Sequence, residues 1–274
     1  MDQRRFPDPS LLDAYAPAEI ARRVESAGIA KVRQRPLTTF TLAVLAGAYI
    51  SFGVVSYTIV ITESALGWGP TRLLGGAAFS LGLILVIVAG AELFTGNALI
   101  VIGWADRKVR MAELLRNWAV VYVGNLVGAL GTALLVILSG ILELRGGAVG
   151  AEAAAIAAGK LQLAPAEAFF RGLLCNVLVC LAVWLSFAAR SVTDKVFAII
   201  FPVSAFVVAG FEHSVANMYA IPVAFFGGLT PQDWSGFLIN LAVVSAGNIV
   251  GGGVLVALVY WAVYIRGSDQ PRPL

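Results

Sequence analysis

The chain has 274 residues, of which 59% are hydrophobic and 13% charged, with a net charge of +3. An ordinary soluble domain carries roughly 25% charged residues. These values exclude a soluble enzyme, a disordered chain and a secreted disulfide scaffold, and so small a charge marks no nucleic-acid surface. An all-α integral membrane protein remains.

In chain order, residues 1–36 come first. Arg4, Arg5, Arg22, Arg23, Lys31, Arg33 and Arg35 precede the first long apolar run, and no small-residue cleavage site follows, so no secretory signal is expected. Residues 16–33 read as an amphipathic helix, with Pro17 near its start and Ile20, Val24 and Ala27 on one face. A position on the cytoplasmic membrane surface is expected, the charges forming a solvated face. Six apolar stretches follow at 37–61, 71–102, 114–142, 166–189, 196–225 and 235–265. Several exceed the roughly 20 residues a crossing requires, so tilt or a break is expected. Gly67-Trp68-Gly69-Pro70, Gly146-Gly147 and Gly227-Gly228 with Pro231 mark joints. Alternating the ends puts 15 of the 19 Lys and Arg on one side and Arg72, Arg145, Lys160 and Arg171 on the other. The positive-inside rule then places both termini, with the tail 266–274, in the cytoplasm, and the six-helix domain 37–265 in the inner membrane.

The halves of the chain repeat. Ala-Gly-Ala-Glu-Leu-Phe-Thr-Gly-Asn at 89–97 and Ala-Gly-Phe-Glu-His-Ser-Val-Ala-Asn at 209–217 share A-G-x-E-x-x-x-x-N. Gly124-Asn125-Leu126-Val127-Gly128 likewise matches Gly247-Asn248-Ile249-Val250-Gly251. Three spans per half require the second copy to cross in the opposite sense, an inverted 3+3 repeat. Glycine and polar residues in mid-span predict broken second and fifth helices, because irregular backbone at depth survives only beside protein or a water-filled cavity. The Gly-Asn pairs are expected to serve close packing and interhelical hydrogen bonds.

His213, the single histidine, lies within one break, and an ionisable group at membrane depth is a functional candidate. Glu92 and Glu212, with Asn97 and Asn217, are read as supports of the breaks, the acids accepting backbone N–H groups. Thr95 in the matching break can meet a substrate or cap a half-helix. Lys160, in a short outer-side loop expected at 143–165 and just beyond the Ala-rich 151–158, stands at the rim of the passage and can raise the local concentration of anions. Phe79 and Leu83, one turn apart, can line one pore wall, while Leu93, Phe94 and Phe206 are ordinary span residues taken singly. Cys175 and Cys180, five apart, read as buried free thiols. One histidine in the chain excludes a multi-histidine metal site, and no cofactor or catalytic residue is expected.

The strings Glu92–Asn97 (E-L-F-T-G-N), Leu174–Trp184 (L-C-N-V-L-V-C-L-A-V-W) and Gly210–Met218 (G-F-E-H-S-V-A-N-M) resemble the formate–nitrite transporter family over nearly the whole chain. The resemblance implies an aquaporin-like protomer, assembled as a homopentamer with one pore per subunit. It implies that Thr95 on the second-span loop faces His213, with Glu212 the acid beside that histidine. It makes Lys160 and Asn176 the pair that draws anions in, and it gives the outer constriction to Phe79 and Phe206 and the inner one, beside Phe94, to Leu83 and Leu93. The expected cargo is a small monovalent weak-acid anion, formate before nitrite or hydrosulfide, moved through the lipid bilayer by a pH-dependent channel or proton-coupled mechanism in which His213, or water relayed beside it, donates the proton. An aquaporin-type facilitator for neutral solutes competes, but neither break carries its Asn-Pro-Ala motif.

Overall fold

The computed structural model describes residues 13–267. Arg4, Arg5 and residues 268–274 of the tail lie outside that range. Eleven α-helices follow in order: α1 Pro17–Arg33, α2 Pro36–Ile61, α3 Trp68–Ala89, α4 Val101–Ala105, α5 Met111–Leu138, α6 Ala148–Leu161, α7 Pro165–Ala188, α8 Val192–Ala209, α9 Ser214–Phe226, α10 Trp234–Ile249 and α11 Val259–Tyr264. A π-helical stretch, Val250–Leu258, joins α10 to α11 and makes one continuous span of 31 residues. With α2, α3, α5, α7 and α8, that gives six helices long and apolar enough to cross a membrane.

α2 packs against α3 and α5, α7 packs against α8 and α10, and α3 against α8 joins the halves. The backbones touch where the repeated glycines lie. A Cβ on Gly128 would stand 1.9 Å from the carbonyl oxygen of Val44, and one on Gly251 2.0 Å from that of Leu173. Small residues let helices approach this closely in lipid, where no hydrophobic force drives them together. Large apolar side chains such as Leu135, Leu138, Phe201 and Leu238 point outward, as a lipid-facing surface requires.

Both long second and fifth stretches are interrupted. α3 ends at Gly90 (φ 82°) and α8 at Gly210 (φ 71°), each in the left-handed region that glycine enters without strain. The chain then turns inward before resuming as a 3-10 turn (Gly96–Ile100) running into α4, or as α9.

Two expectations change. α1 turns its apolar face to the bundle, not outward: Ile20, Val24 and Gly28 are buried, and Gly28 sits against Ile100 of the resumed second stretch. The connection 143–165 is not a plain loop, because it holds α6, which packs on α9. α1 precedes α2 as α6 precedes α7, so the repeat comprises more than three spans.

Candidate functional site

A broken helix leaves backbone groups without partners in a medium that offers none. One asparagine per break supplies them. Asn125 accepts from the Phe94 N–H (2.9 Å) through Oδ1, and its Nδ2 donates to the carbonyls of Glu92 (2.9 Å) and Ala43 (2.7 Å). Asn248 does the same in the other half, accepting from Ser214 N–H (3.0 Å) and donating to Glu212 O (3.0 Å) and Gly172 O (2.7 Å). The Gly-Asn pairs therefore do more than pack helices, since their amides stitch the breaks.

The acids hold side chains rather than the backbone N–H groups expected of them. Glu92 accepts from Lys31 Nζ (2.9 Å) and Asn97 Nδ2 (2.7 Å), and Asn97 also donates to Asn117 (2.9 Å). Glu212 accepts from Lys160 Nζ (3.0 and 3.1 Å) and Asn217 Nδ2 (2.7 Å), and Asn217 donates to Asn240 (2.8 Å). Two lysine–glutamate–asparagine–asparagine sets thus occupy equivalent places in the two halves. Both glutamates are buried, and a buried carboxylate is tolerable only when paired and hydrogen-bonded like this.

Between the two sets lies the point where the breaks meet. Thr95 Oγ1 and His213 Nε2 are 2.8 Å apart, both residues fully buried. His213 also caps α9, its Nδ1 accepting from the Ala216 N–H at 3.1 Å. An accepting Nδ1 holds no proton, so the neutral ring carries its proton on Nε2 and donates it to Thr95. The threonine hydroxyl proton is then left to donate elsewhere. Phe206 lies parallel over His213 (6.2 Å) and meets Phe79 edge-on (5.5 Å).

A cavity of about 610 Å³ opens on the α6 side and ends at Phe79, Phe206 and His213. Lys160 and Glu212 lie on its wall. Leu83 and Leu93 are buried beyond it. Phe94 turns away toward α5, edge-on to Tyr122 (4.8 Å) and Trp118 (6.2 Å). Asn176 does not join Lys160. Its Nδ2 donates to Thr95 O (3.1 Å) and Asn248 O (2.6 Å), which fixes the threonine, and its Oδ1 is buried with no partner among the described residues.

Lys31, Asn117, Asn240, Asn125 and Asn248 are the site residues that the sequence reading leaves in the background. Two spacings carry them. Lys31 stands five residues before Pro36 as Lys160 stands five before Pro165, and both halves contain N-x6-G-N, at Asn117–Asn125 and Asn240–Asn248.

With this geometry in view, the comparisons decide the family. Residues 18–262 match the formate/nitrite transporter profile. The chain belongs to the formate/nitrite transporter family. Over 277 aligned residues it is 41% identical to "Formate channel FocA" of Escherichia coli (strain K12), covering 94% of this chain and 97% of that one. A solved structure described as "Pentameric formate channel with formate bound" superposes with a TM-score of 0.78 at 43% identity, covering 84% of this chain and 97% of the other. The aquaglyceroporin of Plasmodium falciparum superposes with a TM-score of 0.53 at 15% identity, which marks a shared aquaporin-like fold and nothing about cargo. The protein is a multi-pass membrane transporter of this family.

Proposed function

We propose that this chain carries small singly charged weak-acid anions, formate first, through one pore per subunit of a homopentamer in the inner membrane, with both termini on the cytoplasmic side. The observation that carries the reading is the Thr95–His213 hydrogen bond at the floor of the cavity. The names of the relatives and the lopsided distribution of Lys and Arg support the cargo and the orientation.

The anion enters beside Lys160, whose ammonium offsets part of the lost hydration. It then meets Phe79 and Phe206, where a bare charge finds no compensating partner. Taking up a proton removes that penalty. The proton comes from water in the cavity, because His213 Nδ1 holds none and a neutral imidazole does not give up its Nε2 proton near neutral pH. His213 and Thr95 act as a donor chain: Nε2–H holds Oγ1, and the threonine O–H turns to the passing carboxylate or carboxylic acid. Once past Leu83 and Leu93 the acid releases its proton near the Lys31–Glu92 pair.

Uptake of formate and of nitrite into proteoliposomes, side by side, with and without an inward proton gradient, tests this. Gradient-stimulated formate uptake that is lost in His213→Phe, with the assembly intact, is the expected result. Flux of both anions that ignores the gradient removes protonation from the mechanism.

A further inference from the structure

The same cavity carries two guanidinium groups that nothing above uses. Arg72, at the start of α3, and Arg171, in the second turn of α7, both line it and converge on the end of α8. Their nearest nitrogens lie 3.2 Å (Arg72 Nη2) and 3.7 Å (Arg171 Nη1) from the position a Cβ on Gly210 would take. Only a glycine leaves that space open. Arg72 donates to two neutral oxygens, Val207 O (2.7 Å) and Tyr57 Oη (3.1 Å), and makes no ion pair among the described residues. Its Nε–H is buried and unpartnered. Arg171 donates to Gly210 O (3.3 Å) and pairs with Glu167 on its own helix.

The charges around this cavity do not cancel locally. Lys160 is paired with Glu212 at 3.0 Å. Glu152, also on the wall, reaches neither arginine closely enough for an ion pair. Arg72 is therefore the one cation on this wall without a direct ion-pair partner among the described residues, with a second fork beside it. Two forks flanking one gap suit a carboxylate, whose two oxygens can each take a charge-assisted N–H···O bond of about 2.8 Å.

We propose that Arg72 and Arg171, facing each other across Gly210, form a capture site for a singly charged carboxylate at the mouth of the cavity, ahead of Lys160. The proposal rests on the reading of this cavity as the anion's way in. It divides labour: the arginines set how much anion is held at the mouth, and the Thr95–His213 pair acts on what passes.

Trp68 provides a reporter, since its ring lies over the Arg72 guanidinium (5.9 Å) on the same wall. In the full-length protein in detergent, iodide quenching of Trp68 fluorescence, isolated by difference against Trp68→Phe, reads anion accumulation at the site. Formate and acetate should relieve the quenching, while chloride at equal ionic strength and neutral formamide should not. Arg171→Gln should remove the formate-relievable part, and Arg171→Lys, which keeps the charge but not the fork, should restore only some of it. In proteoliposomes Arg72→Gln and Arg171→Gln should each raise the half-saturating formate concentration about tenfold, the lower end of what focused fields supply, with the maximal rate little changed. Equal relief by chloride and formate in the wild-type protein overturns the site, and so does unchanged quenching in a folded Arg171→Gln. Relief by formate in a protein that moves no formate would sustain the site and sink the transport reading, so the two failures are distinguishable.

Discussion

His213 takes in the second half of the chain the place that Leu93 takes in the first, three residues beyond the left-handed glycine in each case. The backbone of the two breaks is alike, but the chemistry is not. Only one break carries a proton-bearing ring, and only the other carries, at Thr95, the hydroxyl that meets it.

Removing that hydroxyl leaves a buried donor unpaired. Thr95→Val should lower stability by about 1–3 kcal/mol, the cost of an orphaned polar group, and should strip the pore of its donor. Thr95→Ser keeps the oxygen and should keep most of both. Thermal unfolding alongside formate uptake checks this, and a Thr95→Val protein with full flux would remove the donor chain from the mechanism.

Asn125 and Asn248 each bond three backbone groups, and since one carbonyl of each set (Ala43, Gly172) lies inside a helix, an alanine at either position orphans the two groups of the break. The expected loss of several kcal/mol, at about 1–3 per group, is enough to prevent assembly. Asn→Asp keeps the acceptor and forfeits both donated bonds, so it should be nearly as damaging. Monodisperse yield from the membrane fraction is the readout.

Gly128→Ala drives a methyl into the Val44 carbonyl and should separate α2 from α5. Gly131, on the same helix, faces open space, and Gly131→Ala should be neutral or stabilise by up to about 1 kcal/mol through helix propensity. The contrast in melting temperature between the two variants tests the contact.

Lys31→Met strands the Glu92 carboxylate in a buried site, at an expected 3–5 kcal/mol. Glu92→Gln in the same chain should recover most of that. A double-mutant cycle measures the coupling, and additive losses would show that the pair is not an interacting unit.

Glu152 faces the cavity together with Tyr57, Arg72, Lys160, Arg171, Glu212 and His213. Burial pushes its carboxyl above the ordinary glutamate range. It therefore takes its proton at a higher pH than an exposed glutamate, and as the pH falls the cavity gains net positive charge. Formate capture should strengthen on mild acidification. Glu152→Gln should bind more tightly than wild type at pH 7 and match it once wild-type Glu152 is neutral. A variant that tracks the wild type at every pH would dismiss this acid as a regulator of capture.

How much of this is legible in the sequence depends on the range of the interaction. Each break is visible because glycine, acid and asparagine fall within nine consecutive residues, and His213 because no other histidine competes with it. Lys31 is obscure because it reaches Glu92 from 61 positions away, out of a helix where Glu19, Arg22, Arg23 and Arg33 do face solvent. The amides of Asn125 and Asn248 can be foreseen as hydrogen-bonding, but their targets lie on backbone that only the fold brings near. The acids are misread for a related reason: their amide and lysine partners fill the places where free backbone N–H groups were expected.

The matched lysine–glutamate sets have a consequence for direction. A passage whose two mouths present the same ammonium, carboxylate and amides has no built-in arrow, and its net flow follows whatever gradient is applied. Any rectification must arise from parts that lack a counterpart in the other half. The histidine is one, and the arginines that crowd a single mouth are another.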